Sequence, residues 1–314
     1  GRLTRQWYLE PLPYSALRDF FPDWSAEERV ATYGVAGGVP AYLAWLDPAL
    51  SLSANVRQSI LAEGSMFLAE PMFLLYDEVR EPQSYLATLK AIGLGNHTLS
   101  DISNYALIAT SHLSVYLQRL QDLKLVERRL PAATPTAKRR NSRLGRYHLA
   151  DPYFRFYFRF IAPFHEYLPF DTERVLARIR QELRAFVGGT AFEELARQWV
   201  IAQGAAGRLS LRPEIVGAHW SRKVQADVVA VDWSSRQLLL GECKWGDGRV
   251  DRQTVRELID GKGPLLRREL EDGDEWQFHY ALFSRAGLTP AAAAELRAHD
   301  GLDVDLARLD AELY

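Results

Sequence analysis

The sequence predicts an α+β protein that is built from several domains. Residues 14–123 carry apolar side chains mostly at helical spacing, whereas residues 224–245 read as two apolar strands joined by a polar turn. The chain has 314 residues, which is enough for two or three domains and an ample core. Its charged and apolar fractions, 25% and 47%, are typical of soluble globular proteins.

Composition excludes several functional classes. A single cysteine rules out a disulfide framework and any multi-cysteine zinc site. No apolar run approaches the length of a membrane span, and the N-terminal residues lack a signal-peptide pattern, so we expect a cytoplasmic protein without membrane contact. The abrupt start, without an initiator methionine, leads us to expect a fragment boundary at Gly1.

Residues 1–80 are predicted to form a helical region behind a strand-like segment at residues 1–13. One helix is expected over residues 14–20, and Ser25 with Glu28 is expected to cap another that reaches Tyr33. The Gly37-Gly38-Val39-Pro40 segment breaks this pattern. Further helices are predicted at residues 41–46, 51–63 and 70–79.

Residues 81–150 are predicted to form a winged helix. Helices are expected over residues 85–92, from Thr98 onward and over residues 110–123, followed by strands that begin at Lys124 and Arg146. Three helices followed by a two-stranded wing form the winged type of helix-turn-helix. Residues 131–143 would be the tip of the wing.

This region is strongly basic, which is what contacts to DNA phosphates require. The alternatives are a solvated loop or a docking surface for an acidic partner domain. The cluster also includes Lys124 and Arg146. The residues predicted to contact nucleic acid are Arg119, Arg128, Arg129, Lys138, Arg139, Arg140 and Arg143.

Residues 151–185 are predicted to be a helical linker. The aromatic run from Tyr153 to Phe160 is compatible with base stacking, but its helical spacing favours packing in a core between domains. An amphipathic helix is expected over residues 171–186.

Residues 186–314 are predicted to form a C-terminal α/β domain, and its central hairpin carries ionisable groups on apolar strands. A helix is expected to open at Gly188-Gly189-Thr190, another to run over residues 251–266, and a strand over residues 276–283. If the turn is centred between Ser234 and Ser235, Asp227 faces Glu242 directly and Lys244 follows on the same face. Two carboxylates and an ammonium group on one face suit a divalent cation and the polarisation of a water molecule.

These residues resemble the D…(D/E)xK core of the restriction-endonuclease-like nucleases, the PD-(D/E)xK superfamily. The order of helix, hairpin, helix, strand and helix also resembles the core of that superfamily. The resemblance implies catalytic roles for Asp227, Glu242 and Lys244, with Mg²⁺ or Mn²⁺ as the cofactor. It also implies that Glu193, on the first helix, joins Asp227 and Glu242 at the metal.

Each assignment has an alternative. Asp227 and Lys244 could form an ordinary cross-strand ion pair. Thr190 and Glu193 could form a capping box, which would leave Glu194 as the fallback metal ligand. Cys243 alternates with the acidic residues and is expected to be a small core residue on the opposite face.

Nearly the whole chain resembles the C-terminal two-thirds of a prokaryotic AAA-type ATPase family that ends in a domain of unknown function, number 234. The matching segments include Gly1-Arg2, Leu9-x-Pro-Leu12, residues 33–43, residues 147–156 and Gly241-Glu242-Cys243-Lys244-Trp245. That family carries a P-loop domain, a helical lid and a winged helix. Here no G-x-x-x-x-G-K-[ST] motif occurs, so we expect no ATP site and no ATPase activity from this chain.

Three functional hypotheses remain. The first is a metal-dependent nuclease domain behind a DNA-binding winged helix, with residues 1–80 resembling the lid of an ATPase. The second is a catalytically silent DNA-binding regulator. The third is a protein-interaction module of a larger ATPase assembly, in which the partner is an ATPase domain or another copy of the chain.

Overall fold

The computed structural model describes residues 9–79, 81–140 and 142–314. Gly1-Arg2, and most of the predicted strand-like segment, lie outside these residues, and residues 9–13 contain no strand. In the part of the chain that the structure describes, no helix has the length and apolar character needed to cross a bilayer.

Five α-helices form the N-terminal region, with single turns of other helix types between them. Ser25 and Glu28 form the predicted capping box. Gly37 ends the second helix with a φ of +64°, and a side chain on Gly38 would collide with the carbonyl oxygen of Leu12. The five helices are α1 (Leu17–Phe20), α2 (Ala26–Ala36), α3 (Pro40–Ala44), α4 (Leu52–Asn55) and α5 (Met66–Glu78).

Three helices and an antiparallel hairpin follow, in the order predicted for residues 81–150. Thr98 caps the middle helix by accepting a hydrogen bond from the backbone N–H of Asp101. The first strand begins at Val126 instead of Lys124, because Lys124 has a φ of +58° and turns the chain. The elements are α6 (Pro82–Gly93), α7 (Leu99–Ala106), α8 (Thr110–Asp122), β1 (Val126–Arg129), α9 (Thr136–Arg139) and β2 (Arg146–Leu149).

The connection between β1 and β2 is not the free tip that the sequence predicted. Ala132 and Ala133 are buried, and the backbone N–H of Ala132 donates to the carbonyl oxygen of Ala218 at 2.9 Å. The start of the connection therefore docks on the C-terminal sheet, and only its later part is exposed. Small apolar side chains next to prolines carried no periodic signal of this docking.

One nearly continuous helical stretch leads into the C-terminal sheet. The predicted helix start at Gly188 is wrong, because α11 (Thr172–Val187) passes through a π-helical turn, Gly188–Phe192, into α12 (Glu193–Ala205). The turn lies against the sheet, where a side chain on Gly188 would approach Cβ of Trp245 to 2.8 Å. Upstream, α10 (Pro152–Phe156) and the π-helical turn Tyr157–Ile161 bury the aromatic run, as predicted for core packing.

The C-terminal sheet has five strands in the order β3-β4-β5-β6-β7. The first three pair antiparallel and the last three pair parallel, so β5 joins the two halves. A helical crossover from α13 (Arg252–Arg256) to α14 (Gly263–Arg267) connects β5 to β6. The remaining elements are β3 (Ile215–Trp220), β4 (Gln225–Asp232), β5 (Gln237–Lys244), β6 (Gln277–Ser284), α15 (Pro290–Ala298), β7 (Leu302–Asp305) and α16 (Leu306–Glu312).

Two hydrophobic clusters lie on the two faces of this sheet. The larger one, called here the shared core, includes Val228 and Leu239 and continues through α12 into the N-terminal helices. The smaller one, called here the crossover core, includes Leu238 and Leu240 and is covered by the helices around Leu258. The N-terminal helices, helices α6–α8 with the β1–β2 hairpin, and the sheet thus pack around a common interior.

Candidate active site

The predicted hairpin register is confirmed. Strands β4 and β5 pair from Val228 with Gly241 to Asp232 with Gln237. This is the register expected for a turn centred between Ser234 and Ser235. The ladder ends one residue before the predicted pair of Asp227 and Glu242. At the turn, Asp232 accepts hydrogen bonds from Ser234 and Ser235, and these hold its pKa at about 2 although burial opposes this.

Asp227 lies at an irregularity that the sequence did not reveal. Between two neighbouring pairs, Gly217 with Val229 and His219 with Ala226, β3 advances two residues while β4 advances three. The extra residue falls at Asp227 and Val228, which is the geometry of a β-bulge. Oδ2 of Asp227 consequently accepts a hydrogen bond from the backbone N–H of Cys243 at 2.9 Å.

Glu242 and Lys244 share one face of β5, as predicted, and meet a second lysine there. They continue the alternation of Leu238 and Leu240, which face the crossover core. Lys244 Nζ lies 2.8 Å from Oε1 of the buried Glu242, and Lys262 Nζ lies 2.6 Å from Oε2. Lys262 belongs to a π-helical turn between α13 and α14, and its contact with β5 had no signal in the sequence.

Cys243 packs against the shared core, on the opposite face from its two neighbours, which confirms that prediction. Burial, with the negative charges of Asp227 and Glu193 close by, raises the pKa of its thiol well above the ordinary value. The thiol is therefore protonated at neutral pH, as expected for a core residue.

Glu193 reaches the site from the start of α12. The alternative capping-box reading is wrong, because the Thr190 hydroxyl donates to the carbonyl oxygen of Phe186 and the helix continues past both residues. The fallback residue, Glu194, instead pairs with the buried Arg155 at 2.7 Å. Arg155 lowers the pKa of Glu194 against the effect of burial, so Glu194 serves the packing of α10 on α12.

Two of the carboxylates, Glu193 and Asp227, have a raised proton affinity because they are buried beside another negative charge. Burial and the charge of Asp227 raise the pKa of Glu193 to about 7, although Arg197 at 3.4 Å opposes the shift. Burial and the charge of Glu242 raise the pKa of Asp227, against the lysines and the N–H of Cys243. Such mutual repulsion favours a positively charged partner at this site.

The residues predicted to bind metal supply suitable donor atoms, but they are not closely grouped. Carboxylate oxygens are the ligands that Mg²⁺ and Mn²⁺ prefer. Across residues 9–79, 81–140 and 142–314, however, no three metal-binding side chains are gathered closely enough to hold an ion. Both oxygens of Glu242 are already paired with lysines, so a cation would have to displace one of them.

Asp227 and Glu193 also line a cleft of about 370 Å³ between the β1–β2 hairpin and strands β3 and β4. Glu242 and Lys244 are not among the residues that line this cleft. Three histidines, His97, His148 and His219, line the cleft. Five arginines complete its charged lining: Arg129, Arg146, Arg155, Arg159 and Arg197.

The histidines contribute little charge to this arginine cleft. His97 and His148 stack with ring centroids 4.3 Å apart. Burial, reinforced by the charges of Arg129 and neighbouring cations, lowers the pKa of His148 to about 2, and burial lowers that of His97 as well. The positive charge of the cleft is therefore carried by its arginines.

The residues predicted to bind nucleic acid do not form one surface. Arg119 lies 3.4 Å from Glu78, Arg129 pairs with Glu127, and Arg139 donates to backbone carbonyls of its own connection. Arg128 donates to the carbonyl oxygen of Ser142. Arg119 and Arg128 are exposed in spite of these contacts, and Lys138, Arg140 and Arg143 are exposed on the connection itself.

Comparison with known proteins finds a family model that is similar to part of this region. Residues 157–257 match DUF234, archaeal and bacterial proteins of unknown function. The matched segment contains α11, α12 and the whole β4–β5 hairpin. It therefore includes the four predicted active-site residues, Glu193, Asp227, Glu242 and Lys244. The predicted resemblance to domain 234 is confirmed for this segment.

A second similarity extends over most of the chain. The chain is 32% identical over 289 residues to an uncharacterized protein, MJECL04, of Methanocaldococcus jannaschii. The alignment covers 91% of this chain and 62% of the archaeal protein, so the chain spans about three-fifths of that relative's length. No solved structure matches the chain, and neither similarity names an ATPase.

Proposed function

We propose that this chain is a metal-dependent phosphodiesterase that acts on DNA. The observation that carries the proposal is the meeting of Asp227, Glu242 and Lys244 where β4 and β5 end, beside Glu193 from α12. Ionisable groups on apolar strands are costly to bury, so their concentration at one sheet edge favours a chemical role.

The topology supports the same proposal. Helix α12, the β4–β5 hairpin, the helical crossover, strand β6 and helix α15 follow one another in the order that the PD-(D/E)xK resemblance implies, with β3 as an additional antiparallel strand before the hairpin. The bulge at Asp227 is also in keeping with an active site, because bulges re-aim side chains at such positions. Arginines on the neighbouring cleft supply charge that suits a phosphodiester substrate.

Each residue would have a distinct role. Asp227 and Glu242 would hold Mg²⁺ or Mn²⁺, with Glu193 and the carbonyl oxygen of Cys243 completing the shell. When bound, the cation supplies Lewis-acid polarisation of a phosphate oxygen and of water. Lys244 would orient the attacking water and stabilise the negative charge that develops on the phosphate.

The lysines around Glu242 are compatible with this assignment because they are partly exposed. The Lys244 side chain is 42% accessible to solvent and that of Lys262 is 30% accessible. Either ammonium group can therefore swing away from the carboxylate at a modest cost in free energy. A bound cation would replace the charge that the departing lysine had supplied.

A second function is favoured by the same two ion pairs. If Lys244 and Lys262 stay on Glu242, the carboxylate is neutralised without metal, and the domain is a catalytically silent DNA-binding module. The basic connection between β1 and β2 and the arginine cleft would then bind DNA without cutting it. The resemblance to an ATPase family further suggests a regulatory assembly with an ATPase domain or another copy of the chain.

Cleavage of plasmid DNA and of labelled single-stranded DNA in Mg²⁺ or Mn²⁺, compared with EDTA, separates the two functions. The nuclease proposal predicts metal-dependent cutting by the wild-type protein that is lost in Asp227→Asn. Asp232→Asn is a matched control, since Asp232 lies on the same strand at the turn. DNA binding without cutting by the wild type in either metal would favour the silent module.

A further inference from the structure

The arginine cleft contains one arginine whose charge is not matched by a carboxylate. Arg129, Arg155, Arg159 and Arg197 each pair with a glutamate. Among the residues that the structure describes, Arg146 has no carboxylate within ion-pair distance, and its guanidinium lies over the Trp220 ring, 4.8 Å from the centroid. A partly buried guanidinium in a cavity is a ready partner for an anionic group.

His219 provides a second unsatisfied group on the same cleft. It is buried, its Nε2 lies 3.1 Å from Oε2 of Glu269, and its Nδ1 has no hydrogen-bond partner within the described residues. Burial lowers the pKa of His219 despite Glu269. With the proton on Nε2 and directed at Glu269, the buried Nδ1 is left as an acceptor without a donor, and a small rotation of the ring would be needed to offer it to a ligand's hydroxyl or amine.

We propose that the arginine cleft binds one or two nucleotides of single-stranded nucleic acid, with a phosphate on Arg146 and a sugar hydroxyl or base amine at His219. This inference rests on the proposed function, because Asp227 and Glu193 line the same cleft. A strand held there would run directly towards the candidate active site.

The size of the cleft selects a single strand over a duplex. Its volume of about 370 Å³ is at the lower end of the range of small-ligand sites. A sphere of that volume is about 9 Å across. A B-DNA double helix is wider than this, since its major groove alone is about 12 Å wide. A base and its sugar-phosphate can enter this space, but a double helix cannot.

Binding in EDTA tests the inference without any need for cleavage. Fluorescence anisotropy would compare a labelled single-stranded 12-mer with its blunt duplex on three proteins: wild type, Arg146→Gln and the control Arg222→Gln, whose arginine is exposed outside the cleft. We expect the single strand to bind at least tenfold more tightly than the duplex. Arg146→Gln should weaken single-strand binding by about tenfold, as expected for a charge-assisted hydrogen bond, and Arg222→Gln should leave it within twofold.

Equal or tighter binding of the duplex would overturn the inference, and so would an Arg146→Gln affinity equal to that of Arg222→Gln. If Arg146→Gln does not fold, His219→Gln replaces it, with an expected loss of about threefold. Selective single-strand binding without metal-dependent cutting would keep the cleft assignment and remove the nuclease. Metal-dependent cutting, together with single-strand binding that the cleft variants do not change, would keep the nuclease and remove the cleft assignment.

Discussion

Lys262 and Glu242 form an ion pair at the candidate active site, with Nζ 2.6 Å from Oε2. The lysine comes from the helical crossover that follows β5, so the crossover places a positive charge against the carboxylate near the end of the strand. A metal ion and Lys262 would compete for the same oxygen.

Replacement of Lys262 by methionine is therefore expected to tighten Mn²⁺ binding by about tenfold. Removing one nearby positive charge at a partly exposed site is worth about 1 kcal/mol or more. Isothermal titration with MnCl₂ would measure the change, and Lys223→Met, at an exposed lysine away from the carboxylates, is the control. Unchanged or weaker Mn²⁺ binding by Lys262→Met would contradict a metal site at Glu242.

The π-helical turn before α12 allows a matched pair of glycine substitutions. A Cβ on Gly188 would lie 2.8 Å from Cβ of Trp245, whereas a Cβ on Gly189 would meet nothing within 4 Å. We expect Gly188→Ala to lower the free energy of unfolding by about 1–3 kcal/mol through overpacking. Gly189→Ala should be neutral or slightly stabilising. Equal effects of the two substitutions in urea unfolding would show that the turn does not pack on Trp245 as described.

Asp310 anchors the N-terminal helices to α16. Its carboxylate accepts hydrogen bonds from the Tyr14 hydroxyl at 2.6 Å and from Arg18 and Arg29 at 2.6 and 2.8 Å. Asp310→Asn leaves the buried Arg29 without its charge partner, so we expect a loss of about 3 kcal/mol in chemical unfolding at pH 7. A loss below 0.5 kcal/mol would mean that this network contributes little to docking the N-terminal helices.

The same carboxylate predicts the direction of a pH effect. Burial opposes ionisation of Asp310, but the hydrogen bonds from Arg29 and Tyr14 and the charges of Arg29 and Arg18 lower its pKa below 3.8. A lowered pKa contributes stability that is present above pH 3.8 and is lost as the pH falls through the folded-state value. The midpoint temperature of thermal unfolding should therefore fall more steeply for the wild type than for Asp310→Asn as the pH is lowered from about 4 to about 2. Parallel pH profiles would contradict this.

Exposed cations on the β1–β2 connection test the DNA-binding part of the account. The double variant Lys138→Ala/Arg140→Ala should weaken DNA binding and reduce the magnitude of the salt slope by about 1–2, because phosphate contacts release counterions. Anisotropy titrations from 50 to 200 mM NaCl would measure the slope, with Arg222→Ala/Lys223→Ala as a control of equal charge. A slope equal to that of the control would favour a role for the connection in docking only.

The hairpin was predictable because its signals are local. A polar turn between two apolar strands determines the register, and alternation then places Glu242 and Lys244 on one face and Cys243 on the other. The alternative interpretation of Thr190 and Glu193 as a capping box was wrong because it used local signals alone. The motif is local, but the helix upstream continued through it, and only the packing of the π-helical turn on Trp245 decides this.

Contacts between segments that are distant in the chain could not be predicted from sequence patterns. Lys262 reaches Glu242 through the path of the crossover, and the docking of Ala132 on β3 depends on where the hairpin lies relative to the sheet. The bulge at Asp227 requires the register of a third strand, β3, which the hairpin pattern does not contain. His219 and Arg146, from separate strands, become neighbours of one cleft only in the folded chain.

The most direct test of the central claim is the cleavage of labelled single- and double-stranded DNA in Mg²⁺ or Mn²⁺ by the wild type, Lys244→Ala and the control Lys223→Ala. The account predicts metal-dependent cutting by the wild type and the control, and a rate about 10²–10³-fold lower for Lys244→Ala with the fold intact. Cutting by Lys244→Ala at the wild-type rate would remove Lys244 from the mechanism, and no cutting by any of the three proteins would contradict the nuclease assignment.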